Sequence, residues 1–253
     1  DADADGGDAE AGEGEGEGSG GAAGSHTATA KGELTDLFED LLTPEERDTL
    51  GEIGNISMAS AATTLSTLLN NQVLITTPTV ITTTEAHVVD SYDRPAALVR
   101  IGYTEGLHGT NVFIISTHDA SIVADLMMGG AGTPSETIDA IASSAVGEAM
   151  NQMMGAAATS MANMFGRRVD ISAPDVQVLD LSDHTSTIGL VNTDDPMVCA
   201  RFDLQVGDLL STTLMQLMPL EFAKEVVAAL LPPEPEPAPE ADADAEDDTE
   251  AAY

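Results

Sequence analysis

Glu52 with Asn55, and again Glu148 with Asn151, pair a carboxylate with a side-chain amide three residues on. On a helix, residues at that spacing are neighbours on one face. A carboxylate accepts hydrogen bonds and can hold a cation, and a side-chain amide both donates and accepts. One Glu-x-x-Asn on a solvated helix would be unremarkable, but here it occurs twice, while its neighbours change from Gly54 to Met150 and from Ile56 to Gln152. Asp48 and Ser144 stand four residues before each Glu, and Pro78 and Pro174 follow each Asn after 22 intervening residues.

The two sets match because the chain repeats itself. A shift of 96 residues also superposes Gly51 on Gly147, Met58 on Met154, Ala61 on Ala157, Thr63 on Thr159, Val73 on Val169, Ile75 on Ile171 and Val80 on Val176. A match this long is a duplicated unit, not a solenoid of short repeats. Thr43-Pro44-Glu45-Glu46 and Thr133-Pro134-Ser135-Glu136 both read as capping boxes with Pro at the first helical position, so a helix is predicted from each, running to about Asn71 and Gly166. At about 100° per residue, Leu50, Ile53, Ser57, Ala61, Thr64 and Leu68 form the core-facing stripe of the first. Val146, Ala149, Met153, Ala157, Ser160 and Met164 do so in the second. Asp48, Glu52 and Asn55, and likewise Ser144, Glu148 and Asn151, fall on the opposite, solvent side.

Strand-like runs follow each helix: Val73–Thr77, Ala96–Tyr103 and Thr110–Ser116 in the first unit, Val169–Ser172, Met197–Asp203 and Leu209–Leu214 in the second. Shorter helices at Asp119–Met128 and Leu220–Leu230 close the two units. The order of helix, strands, helix, given twice, predicts an α+β fold with a mostly antiparallel sheet, two long motif-bearing helices and shorter ones, its halves related by a pseudo-twofold axis.

Composition limits what such a fold can do. The 253 residues carry 44 acidic and 8 basic side chains, a net charge of −36, which argues against a protein that grips a nucleic-acid backbone. No apolar run reaches the roughly 18–20 residues needed to cross a bilayer, the opening is not a signal sequence, and a cytoplasmic protein is expected. Cys199 is the single cysteine and the five His lack ligand spacing, so neither a disulfide nor a structural metal site is expected. Residues 1–30 and 232–253 hold 17 of the acids and none of the bases, with few apolar residues, and are predicted to be disordered. The folded domain is placed at 31–231, its repeats at about 40–130 and 131–231. That domain still has 27 acids against 8 bases, an excess that suits a source with high internal salt.

Other features read as structural. Gly129-Gly130-Ala131-Gly132 lacks the Lys-Ser/Thr of a phosphate loop and reads as a turn. Ser57, Ser60 and Ser66 have no His to activate them, and His118-Asp119 reads as a helix cap. The eleven Met read as core fillers, Cys199 as a buried apolar residue, and Arg167-Arg168 as charge at a helix C-terminus.

The signatures Asp48-x3-Glu52-x2-Asn55-x22-Pro78 and Ser144-x3-Glu148-x2-Asn151-x22-Pro174 resemble those of the CheC, CheX and FliY phosphatases of bacterial chemotaxis. Two intact copies are similar to the CheC and FliY types, and the wording GEIGNISMASAATTLSTLLNNQVLITTP is nearest the FliY type. The resemblance covers about residues 40–231. It implies hydrolysis of the phospho-aspartate on CheY, the response regulator that sets flagellar rotation. Glu52 and Glu148 would hold CheY by its active-site lysine, and Asn55 and Asn151 would orient the attacking water. The Mg²⁺ would belong to CheY, with no cofactor in this chain. It also implies a place at the cytoplasmic face of the flagellar basal body, joined to switch proteins through a C-terminal domain that these residues do not contain. An N-terminal CheY-docking peptide is not evident in residues 1–30 either, so a fragment is expected. The alternatives are a standalone CheC-type phosphatase and a module that docks CheY without turnover.

Overall fold

The computed structural model describes residues 34–182 and 186–230; the predicted tails lie outside the described residues. Helix α1 spans Pro44–Leu69 and begins on the expected capping box, with the Glu46 N–H donating to Thr43 Oγ1 (3.1 Å) and the Thr43 N–H to Glu46 Oε2 (2.7 Å). It ends on Asn70 in the left-handed region. Helix α4, Ala140–Phe165, starts later than predicted. Its N-cap is Asp139, whose Oδ1 accepts from the Ala142 N–H (2.8 Å). Thr133 cannot cap it, because its N–H and that of Gly132 donate to Asp125 Oδ2 (both 2.8 Å), while the Ser135 N–H donates to Ser121 Oγ. The glycine run is thus a turn folded round an acidic side chain of the preceding helix, the reverse of a phosphate cradle.

The short helices are α2 (Glu85–Asp90), α3 (Thr117–Met127) and α5 (Leu220–Leu230). His118-Asp119 forms part of the α3 cap, with Ser116 at the N-cap. The strands are β1 (Val73–Ile75), β2 (Thr79–Thr84), β3 (Pro95–Glu105), β4 (Thr110–Ser116), β5 (Asp170–Ile171), β6 (Asp175–Asp180), β7 (Pro196–Val206) and β8 (Leu210–Pro219). All pair antiparallel in one eight-stranded sheet along the path β1-β7-β8-β4-β3-β5, with β2 also on β7 and β6 also on β3.

The pairing makes the pseudo-twofold explicit. The β3–β4 and β7–β8 hairpins meet at the centre through Val112 with Leu217, Phe113 with Gln216 and Ile114 with Met215. The outer strands are exchanged: β1 and β2 of the first copy pair with β7 of the second, and β5 and β6 of the second pair with β3 of the first. Neither copy closes its sheet alone.

The helices α1 and α4 pack on one another and on one face of this sheet. Phe113, Phe202, Ile101, Met58, Met153 and Met154 are almost wholly buried there. The buried arc of each long helix is wider than the predicted stripe, because it faces both sheet and partner helix. Leu65 and Leu69 are buried in α1 where Thr64 and Leu68 are only partly covered. Met161 is buried in α4 where Ser160 and Met164 are partly covered. The opposite face of the sheet covers Leu98, Ile114, Met197, Cys199 and Leu217 with α2 and the segment around Ile188. Burial pushes the Cys199 thiol up to about 12 against the opposing pull of Arg201, as expected of an inert core thiol. Arg168 bonds Glu105 (3.2 Å) and Asp170 (2.6 Å) across the β3–β5 edge, and Arg167 lies over the Phe165 ring, so this pair ties the loop after α4 to its surroundings.

Candidate active site

Both motifs lie on the outward side of the two long helices. Asp48, Glu52, Ser144, Glu148 and Asn151 are exposed, and Asn55 is half-buried. Each Glu and Asn share a helix face, as the spacing predicts. The two pairs occupy different helices that touch, with Ser160 Oγ 3.5 Å from the Ile56 carbonyl.

Each motif proline has a defined place. After β1 the chain is pinned to the exchanged strand: the Thr76 N–H donates to the Asp203 carbonyl (3.0 Å) and the Asp203 N–H to Thr76 Oγ1 (3.1 Å). In the second copy Ser172 does the same with Gly102, at 2.8 and 3.0 Å. Pro78 then rests on α1 where Gly54 has no side chain; a methyl group at Gly54 would come within 3.0 Å of the proline ring and 3.3 Å of Phe202. This contact sets residue 77 beside Asn55. Pro174 joins Ser143, Ser144, Gly147, Glu148, Asn151, Ala173 and Val176 in lining an open cleft over α4. Because the pins come from β7 and β3, each motif is positioned by strands of both copies.

Hydrogen bonding around the motifs differs between the copies. Thr77 Oγ1 donates to Asn55 Oδ1 (3.1 Å), whereas the matching residue of the second copy is Ala173. Gln152 Nε2 donates to Glu148 Oε1 (2.8 Å), whereas Ile56 holds the matching place beside Glu52. Sequence reasoning noted the Gln152/Ile56 difference only as background and missed Thr77. Reading the 96-residue shift one residue before each proline would have found it.

The nearest cation in sequence, Arg47, is already engaged by Asp36 Oδ2 (2.7 Å) and the Val80 carbonyl. The faces therefore present carboxylate and amide groups. They can clamp a cation and hold a water.

The CheC-like family model matches the chain twice, at residues 45–82 and 141–178, windows offset by the same 96 residues. The flagellar motor switch phosphatase FliY of Bacillus subtilis (strain 168) is 45% identical over 193 residues, which are 76% of this chain and 51% of that protein. The chain thus spans about half the length of that relative. A crystal structure of FliY from Thermotoga maritima superposes with a TM-score of 0.70 at 39% identity, covering 75% of this chain and 97% of that one. The FliM middle domain from H. pylori has the same fold, with a TM-score of 0.59 at 12% identity over 74% of this chain and 99% of that one. With its doubled signature, exchanged strands and pinned prolines, the chain belongs to the CheC-like family, among its FliY proteins.

Proposed function

We propose that this chain is the part of a flagellar switch phosphatase that hydrolyses the phospho-aspartate of CheY, with one site on α1 and one on α4. The observation that carries this reading is the doubled Glu and Asn pair, outward-facing on both helices and flanked by the same pinned proline. In each site the Glu carboxylate, Glu52 or Glu148, takes the CheY active-site lysine and so aligns the phosphorylated side chain with the helix face. The amide of Asn55 or Asn151 accepts a hydrogen bond from a water and fixes its lone pair in line with phosphorus. The new phosphorus–oxygen bond forms to that water as the bond to the aspartyl oxygen breaks, leaving aspartate and inorganic phosphate. Positioning of this kind supplies most of the catalysis in phosphoryl transfer. The Mg²⁺ of the reaction belongs to CheY. No helix among the described residues is long and apolar enough to cross a membrane. The rotor is the proposed site of action, reached through switch-protein partners.

Phosphate release from phosphorylated CheY, with and without this chain, tests the reading. Acceleration that disappears in the Asn55→Ala, Asn151→Ala double variant supports it. Binding of CheY without acceleration replaces it with a docking role.

A further inference from the structure

The duplicated sites allow a comparison inside one molecule. The loop before each proline is held identically: Thr76 and Ser172 make the same pair of hydrogen bonds to the exchanged strands, at Asp203 and Gly102. The residue two before each proline is therefore pinned alike. The copies differ after it, in the seat of the proline, where Gly54 matches Met150, and in the side chain between, a hydroxyl at Thr77 and a methyl at Ala173. Thr77 is exposed, but it cannot drift, because Thr76 pins it on one side and Pro78 abuts Gly54 on the other. Its hydroxyl takes one lone pair of Asn55 Oδ1 and leaves the second for a water. Among the described residues, no such bond holds the Asn151 amide. There the held group is the carboxylate instead, with Gln152 donating to Glu148.

We propose that the two sites are specialised by these residues: Thr77 is a positioning residue that pre-sets Asn55 for the chemical step, and Gln152 pre-sets Glu148 for capture of the partner. The first site then turns over faster once occupied, and the second binds at lower partner concentration. This rests on the phosphatase reading above and adds a division of labour to it. The cost of ordering a side chain falls on whichever step needs it ordered, so pre-setting the amide raises kcat and pre-setting the carboxylate lowers KM.

The experiment uses single-site chains. Glu148→Ala with Asn151→Ala leaves the first site, and Glu52→Ala with Asn55→Ala leaves the second. Phosphate release from CheY phosphorylated with acetyl phosphate gives kcat and KM for each. In the first-site chain, Thr77→Val is expected to lower kcat about tenfold with KM unchanged, and Thr77→Ser to restore it. In the second-site chain, Ala173→Thr is expected to raise kcat, and Gln152→Ile to raise KM severalfold with kcat unchanged. A Thr77→Val variant with unaltered kcat, or a Ser variant that fails to rescue, overturns the proposal. Side-chain amide relaxation by NMR reads the same feature without CheY: Asn55 should be the more ordered, and Thr77→Val should bring it to the mobility of Asn151. If the intact chain does not accelerate release, the phosphatase reading fails; the NMR measurement still decides the positioning, and an Asn55 as mobile as Asn151 overturns that too.

Discussion

The glutamates on the two sides of this sheet have opposite surroundings. Glu52 and Glu148 stand exposed on the long helices, and among the described residues their only side-chain bond is that from Gln152. On the far side Glu85 is 1% exposed and its carboxyl group accepts from the backbone N–H groups of Ile188 (2.5 Å), Gly189 (3.0 and 3.1 Å) and Leu190 (3.3 Å). Asp119 is similar at 3% exposure, accepting from the hydroxyls of Ser116 (2.6 Å) and Thr212 (2.7 Å). A buried acid must be fully bonded, so its bonds are taken by the fold. An exposed acid keeps its bonding capacity for a partner. Burial therefore separates the acids that hold the fold from those proposed to meet a partner, and each class should respond to a different assay.

The largest effect should come from Asn55→Ala with Asn151→Ala, which is expected to reduce phosphate release by on the order of 10²–10³-fold. Stability should move by no more than about 1 kcal/mol, since Asn151 is exposed and Asn55, half-buried, gives up only its bond with Thr77. A thermal melt beside the activity assay checks both halves of that statement. Glu85→Ala should behave in the opposite way, costing about 2–3 kcal/mol in denaturant unfolding because it strands three buried or half-buried N–H groups. The folded fraction should keep its activity; a Glu85 variant of unchanged stability would break the comparison. Thr43→Ala and Asp139→Ala each remove an N-cap and should cost about 1 kcal/mol. Their agreement would show that the two helix starts are equivalent despite different residues.

The smallest effect concerns Asp36. Burial opposes its ionisation, but hydrogen bonds from the Thr82 hydroxyl and N–H, with Arg47 beside it, hold its carboxyl below the usual carboxylate range. A depressed folded-state value adds stability that is present above about pH 4 and lost as pH falls through it. The stability difference between the wild-type chain and Asp36→Asn should therefore shrink on acidification from neutral pH, as unfolding at a series of pH values would show.

Much of this arrangement was legible in the residues. The repeat, the two long helices, the motif faces and strand β4 follow from periodicity and spacing, and Thr110–Ser116 matches strand for strand. The second helix start did not follow. Thr133-Pro134 has the local form of a cap, and only the tertiary demand of Asp125 and Ser121 for its backbone shows otherwise. The 96-residue shift places Asp139 on Thr43 and held the better answer. Strand β2 was missed because Thr-Val-Ile-Thr-Thr-Thr has no apolar alternation; it is covered on both faces, with Thr82 and Thr83 fully buried. The exchange of outer strands is not legible at all, since periodicity tells which face is buried and never which strand lies beside it.

That exchange governs how the molecule is made. Thr79 pairs with Arg201, so β2 leaves the ribosome long before the strand it needs has been synthesised. Pairings of such high contact order slow folding, and the waiting strand is an open edge for association with other chains. A single copy of the repeat could complete this sheet only with strands from a second copy. The duplication places both partners in one polypeptide, so the exchange is made within the chain.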